Sequence, residues 1–159
     1  SRVAVGTMTH IAFRTAVIAA LAFSAGIAVS HVPQTARAAA APLQPAVIDV
    51  AAITPADLPP PPPATPNNRS KLMAAADGAT VQVQIGTVPK HYHADANEVQ
   101  IVMSGSGTEW LGDKQVALKP GTMLIIPAGT AHGGTVDPNL KIVAVKTPPQ
   151  ASTDFHPTP

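Results

Sequence analysis

Between residues 69 and 147, short runs of Val, Ile, Leu and Met alternate with polar residues, and Gly, Pro, Asp and Asn separate them at close, fairly even spacing. An alternation of period two turns one face of an extended chain toward a core and the other toward water. It predicts strands at 80–88, 90–94, 98–104, 107–111, 114–118, 122–126 and 140–147. No segment there carries the 3.6-residue apolar period of an amphipathic helix. Gly112-Asp113 sits between two such runs as a tight hairpin turn, and Pro120-Gly121 reverses the chain before the next. Many short strands separated by turn signals predict an all-β sandwich or barrel.

The flanks follow other rules. Residues 42–66 hold nine of the eighteen prolines, including the run Pro59-Pro60-Pro61-Pro62-Pro63. Such a stretch has few backbone donors and favours an extended polyproline II path, which makes 39–68 a linker or arm. Within it, residues 46–53 (AVIDVAAI) are apolar enough to add an edge strand to the barrel or to a neighbouring subunit; a disordered spacer is the alternative reading. The tail at 149–159 has no periodicity and is expected to be mobile. The domain expected between arm and tail spans 69–148.

The N-terminus has the three parts of a secretory signal: Arg2 and Arg14, an apolar run over 15–29, and small residues ending Ala36-Arg37-Ala38. Cleavage is expected after Ala38, so that 1–38 is the signal peptide, with Met8 as a candidate initiator. Fifteen apolar residues fall short of the roughly 20 that span a bilayer, and no Cys is available to carry a lipid. The mature protein is therefore expected to be periplasmic or secreted, with no stable membrane insertion.

Charge then excludes one class of partner. The formal charge of +1 arises at the N-terminus: residues 39–159 carry seven Lys and Arg against nine Asp and Glu, with no basic run. Phosphate-backbone recognition needs a cationic footprint that this domain lacks, so nucleic acid is not an expected partner. An exported chain with zero cysteines has no disulfide to stabilise it and no thiolate to bind metal. A transition metal in such a chain must sit among imidazoles and carboxylates, which suit iron, manganese, nickel, copper or zinc.

Three of the four His residues beyond residue 38 fall in two clusters, His91-Tyr92-His93 followed by Glu98, and His132 after Pro127 and Gly129; His156 stands apart in the tail. On a strand, side chains at i and i+2 share a face about 7 Å apart, close enough for two imidazoles to reach one ion at about 2.1 Å each. Tyr92 then points the other way. A turn at 94–97 returns the chain so that Glu98 faces the same volume, and His132 would close the site. Singly, a strand His is ordinarily a surface or hydrogen-bonded residue. Jointly, two imidazoles and a carboxylate on one buried face are costly unless something charged binds them.

These residues resemble the cupin family. Its first motif appears as Gly86, His91-Tyr92-His93, four residues, Glu98, six residues and Gly105; its second appears as Gly121, Pro127, Gly129 and His132. Gly86 stands one residue nearer the His pair than is usual, and Val136 replaces the final Asn. The resemblance implies a double-stranded β-helix, the cupin jelly-roll barrel, with one divalent metal ion inside it held by His91, His93, Glu98 and His132.

Around that site, alternation turns Gln100 and Val102 to the same side as Glu98, which makes Gln100 a candidate substrate contact. Lys90 and Glu109 can reach the rim and are candidate proton shuttles. Gly133 and Gly134 after His132 form either a ligand entrance or a turn. Trp110, Tyr92 and Phe155 are the only aromatics beyond residue 38, too few for a stacking platform, and Trp110 is expected in the core. With few other titratable groups, the expected chemistry is metal-centred: oxidation, of dioxygenase type, or isomerisation of a small oxygen-rich molecule that chelates the ion. The alternative is a non-catalytic periplasmic module that binds a small molecule or metal. Barrel edges and a proline-rich arm suit a homodimer.

Overall fold

The computed structural model describes residues 42–76 and 78–159; the expected signal segment lies outside the described residues. Among the described residues, ten strands form two five-stranded antiparallel sheets, the all-β class expected from the pattern and the jelly-roll barrel implied by the resemblance. They are β1 (Asn68–Ala76), β2 (Ala79–Gly86), β3 (His91–Tyr92), β4 (Asn97–Ser104), β5 (Gly107–Leu111), β6 (Lys114–Leu118), β7 (Met123–Ile126), β8 (His132–Gly133), β9 (Lys141–Thr147) and β10 (His156–Pro157). The first sheet runs β1-β2-β9-β4-β7 and the second β10-β3-β8-β5-β6. Among the described residues, no helix is long and apolar enough to cross a membrane.

All seven predicted strands form, with ends shifted by a few residues. At Gly112, φ +64° closes the β5–β6 hairpin between Leu111 and its partner Lys114, a conformation that glycine adopts without the Cβ clash. Three strands were not expected. NRSKLMAAA of β1 has neither alternation nor β-branched residues, yet it pairs along β2 with an irregularity between Leu72 and Ala74. Strands β8 and β10 are two residues each, too short for a periodic signal.

The inner face of the first sheet changes from polar to apolar along its length. In register, Glu98 lies opposite Lys146, Gln100 opposite Ala144, and Val102 opposite Ile142. The apolar end merges into a core of Val102, Leu118, Leu124, Ile126, Leu140, Ile142 and Ala144. Each large aliphatic side chain removed from water there contributes about 1.5–3 kcal/mol. The polar end faces a cavity of about 320 Å³.

Both flanks pack against the barrel. Residues 46–53 form no strand; instead Lys141 Nζ donates to the carbonyls of Val50 and Ala51 at 3.1 and 2.8 Å. Leu58 of the arm is buried, and Arg69 donates to the carbonyls of Leu58 and Pro59. Proline removes the donors a ladder needs, so the arm is held through its carbonyls. The tail, expected to be mobile, is instead stitched down. Strand β10 pairs with β3, and the buried carboxylate of Asp154 accepts the amide hydrogens of Ala94, Asp95 and Ala96.

Candidate metal centre

His91 lies on β3 in register with His132 on β8, so the second sheet sets two imidazoles side by side, ring centroids 4.3 Å apart. His93 follows β3, and its ring meets that of His91 at 4.9 Å. All three are buried, and one ligand atom from each lies within 4.8 Å of the others. From the opposite sheet, Glu98 brings Oε2 to 3.2 Å from His93 Nε2, 3.4 Å from His132 Nε2 and 3.5 Å from Lys146 Nζ. The structure thus brings together the four residues that the spacing singled out.

Hydrogen bonds orient the rings. His91 Nδ1 donates to the Pro89 carbonyl at 2.8 Å, His132 Nδ1 to that of Thr130 at 2.9 Å, and His93 Nδ1 to that of Asp154 at 2.5 Å. A carbonyl only accepts, so each Nδ1 carries a proton and each Nε2 is the atom left to bind a cation. The Nε2 of His132 is buried without a hydrogen-bond partner; it lies near Glu98 but is not aligned with it. His93 has an acceptor on each side, the Asp154 carbonyl at Nδ1 and the Glu98 carboxylate at Nε2.

Distances test whether an ion fits. Two atoms each about 2.1 Å from one ion lie about 3.0 Å apart at a right angle and about 3.4 Å apart at the tetrahedral angle. The separations of 3.2 and 3.4 Å from Glu98 to the two imidazoles match this range. An unpaired imidazole nitrogen, a carboxylate and two further imidazoles in one buried volume are a donor set suited to a divalent transition ion.

The electrostatics are set by burial and by proximity. Burial, then the neighbouring His132, pushes His91 down to about 3. Burial by itself would raise Glu98, but His132, His93 and the Lys146 ammonium hold its carboxyl well below the usual range. Burial opposes the charge on His132 too, and the Glu98 carboxylate outweighs it, so this imidazole is raised. Glu109 is pushed up to about 7 by burial, in spite of the opposing effects of His132 and the Gly133 amide.

The remaining candidates separate. Gln100 lines the cavity and donates Nε2–H to Glu98 Oε1 at 3.1 Å. Glu109, also on the cavity wall, accepts the Gly133 N–H at 2.9 Å. Lys90 is not among the residues on that wall; its ammonium lies over the half-buried Trp110 ring, 4.4 Å from the centroid. Gly133 lines the cavity, and both glycines make close approaches to their neighbours. A Cβ at Gly133 would lie 2.6 Å from the Pro89 carbonyl oxygen, and one at Gly134 2.8 Å from the Trp110 ring.

Sequence reasoning missed the tail and Lys146. Asp154 holds His93 through its carbonyl, and Phe155 stacks on His91 with centroids 4.2 Å apart. Nothing local marks these contacts, since they join residues about 60 positions apart. Lys146 was within reach, because alternation along β9 places it on the face of Ile142 and Ala144.

Similar solved structures include KdgF from Halomonas sp. (19% identity, 54% of this chain and 82% of that one, TM-score 0.49). A cupin-2 domain-containing protein from Shewanella frigidimarina is 28% identical over 49% of this chain and 78% of its own, with a TM-score of 0.44. Pac13 of Streptomyces, a nucleoside dehydratase, is 17% identical over 58% and 78%, with a TM-score of 0.46. No curated protein matches the chain. Residues 79–145, somewhat less than half of the chain, match the Cupin_2 family, described as the cupin domain. Over residues 79–145 the match to the cupin domain of the Cupin_2 family coincides with two antiparallel sheets and a buried cluster of three imidazoles.

Proposed function

We propose that the barrel is an exported, mononuclear metal-binding cupin that acts as an oxygenase- or isomerase-type enzyme on a small oxygen-rich metabolite. One divalent transition ion, drawn from iron, manganese, nickel, copper or zinc, would be held by His91, His93, Glu98 and His132. The observation that carries the reading is the common polarity of the three imidazoles. Each commits Nδ1–H to a backbone carbonyl and keeps Nε2 for a cation, beside a carboxylate held ionised. When bound, such an ion polarises a carbonyl or enediol, binds dioxygen or acidifies a bound water. Four protein ligands leave positions open on an octahedral ion, which suits a chelating substrate better than a structural role.

The chain's own groups divide the remaining work. Gln100, bonded to Glu98 Oε1, orients that carboxylate and is a positioning residue. Glu109, with its carboxyl raised to about 7 on the cavity wall, is poised to give or take a proton near neutral pH. Export rests on the pattern of Arg2 and Arg14, the apolar run and Ala36-Arg37-Ala38.

Elemental analysis of protein taken from its native compartment is expected to give about one transition ion per chain, falling to near zero in His93→Ala. Full occupancy in that variant would remove the ligand set. Turnover is read by incubating metal-loaded protein with small hydroxy acids, diketones, catechols and polyols while following oxygen uptake and product mass. A panel that stays unchanged replaces the enzyme with a binding module.

A further inference from the structure

Of the four sheet edges among the described residues, three carry a feature that keeps another strand from joining. Strand β1 has Arg69, Lys71 and an irregularity between Leu72 and Ala74, β6 begins Lys114-Gln115, and β10 ends in Pro157. Charge, irregular pairing and proline all blunt an edge. Strand β7 has none of them: Met123, Leu124, Ile125 and Ile126 are all apolar, and among the described residues the strand pairs with β4 alone.

The ladder fixes which groups of β7 are left over. The Val102 amide donates to the Thr122 carbonyl at 2.9 Å. The bonded phase of an antiparallel pair recurs every second residue, so it runs through Thr122, Leu124 and Ile126, and Met123 and Ile125 turn N–H and C=O away from β4. The side chains of these same two residues are 59% and 68% exposed. Unpaired backbone and exposed apolar side chains thus coincide at two positions of one edge.

The chain also holds a segment of the complementary kind. In the arm, Ala46-Val47-Ile48 belongs to no strand and makes no backbone hydrogen bond among the described residues, with Val47 and Ile48 both exposed. Its own barrel does not cover it. Lys141 holds the carbonyls of Val50 and Ala51 at β9, which β4 separates from β7. On an added strand with Ala46 and Ile48 in the bonded phase, these side chains stand beside Met123 and Ile125. Pro45, which has no N–H to give, then falls in the phase whose donors point away from β7.

We infer that β7 is an interface for a second copy of this chain, and that Ala46-Val47-Ile48 of each copy adds a strand to β7 of the other. Each copy offers one segment and one edge, so a two-fold axis satisfies both and closes the assembly at two chains. The pairing uses no metal ligand and stands apart from the metal-centred reading. Its few residues a side are well short of the roughly 20–30 of a standard interface, so the dimer is expected to dissociate on dilution.

The test is sedimentation velocity on the full chain isolated from its native compartment, over about 1–300 μM, where a monomer–dimer equilibrium is expected. Ala46→Pro removes a donor from the bonded phase, and Ile125→Lys puts a charge on the edge. Each is expected to weaken dimerisation at least about tenfold. Val47→Pro, whose lost N–H points away from β7, is expected to stay within about threefold of wild type. All three positions are exposed, so melting temperature and metal content are expected to match wild type, which separates a lost interface from a lost fold. If Ile125→Lys does not fold, the two arm variants give the same readout from outside the barrel. A monomer at every concentration, a dimer that Ala46→Pro leaves intact, or equal losses from Ala46→Pro and Val47→Pro would each overturn the inference.

Discussion

His91 and His132 face one another across β3 and β8 with their proton affinities moved in opposite directions. At neutral pH His91 is already neutral, so a metal ion takes its Nε2 without displacing a proton. His132 is raised by Glu98, so it takes up a proton at higher pH than His91 does. Metal affinity is therefore expected to fall as pH drops, beginning above the ordinary imidazole value of about 6.5. Chelator competition at several pH values checks the slope. Glu109 gives an independent prediction in the metal-free protein. Its folded-state carboxyl is raised to about 7, so its contribution to stability is fully present below about pH 4.5 and is lost as pH rises through 7. Glu109→Gln stays neutral and keeps an acceptor for the Gly133 amide. The variant is expected to match wild type at pH 4 and to exceed it at pH 8 by up to about 3 kcal/mol in chemical denaturation. Three candidate ligands, His91, His93 and Glu98, were legible because strand alternation and a tight turn are local rules, and His132 through its place in the second motif of the family resemblance. The proton states were not, because they depend on burial and on which side chain stands opposite.

Two flanking elements finish what the barrel strands begin. Asp154 caps three consecutive amides in the turn between His93 and Glu98, and its carbonyl receives the His93 Nδ1 proton. Asp154→Ala strands those three donors, and a loss of about 1–3 kcal/mol in thermal or denaturant unfolding is expected. Deleting residues 151–159 also removes the carbonyl that orients His93, so metal affinity is expected to weaken by about 10- to 100-fold, read by the same chelator competition. The tail's sequence shows no period because its order comes from single polar contacts and two stacked rings, Phe155 on His91 and His156 on Tyr92. Strand β1 was missed for a related reason: alanines have little strand preference of their own, and only β2 beside them imposes the extended form. The Asp77-Gly78 dipeptide was the unread turn signal. At β8, Gly133 has φ +91°, and a methyl group would strike the Pro89 carbonyl. Gly133→Ala is expected to destabilise the fold by more than about 2 kcal/mol and to loosen the His91–His132 pairing, seen as a lower melting temperature and lower metal content.

At the scale of the molecule, a single barrel interior serves as core at one end and as a polar cavity at the other, graded along β4 from Glu98 through Gln100 to Val102 and along β9 from Lys146 through Ala144 to Ile142. The gradient appears in the chain as alternate positions, which is why the all-β class, seven of the strands and the inward face of β4 could be read directly. Period-two patterning and His-x-His spacing are properties of neighbouring residues, and neighbours are what a sequence displays. The rest required the folded chain. The carbonyl partner of His93 Nδ1, the placement of Lys90 over the Trp110 ring and the anchoring of arm and tail all join residues remote in sequence. Which of many available polar contacts forms is decided only when two sheets close around one volume and water is excluded from it.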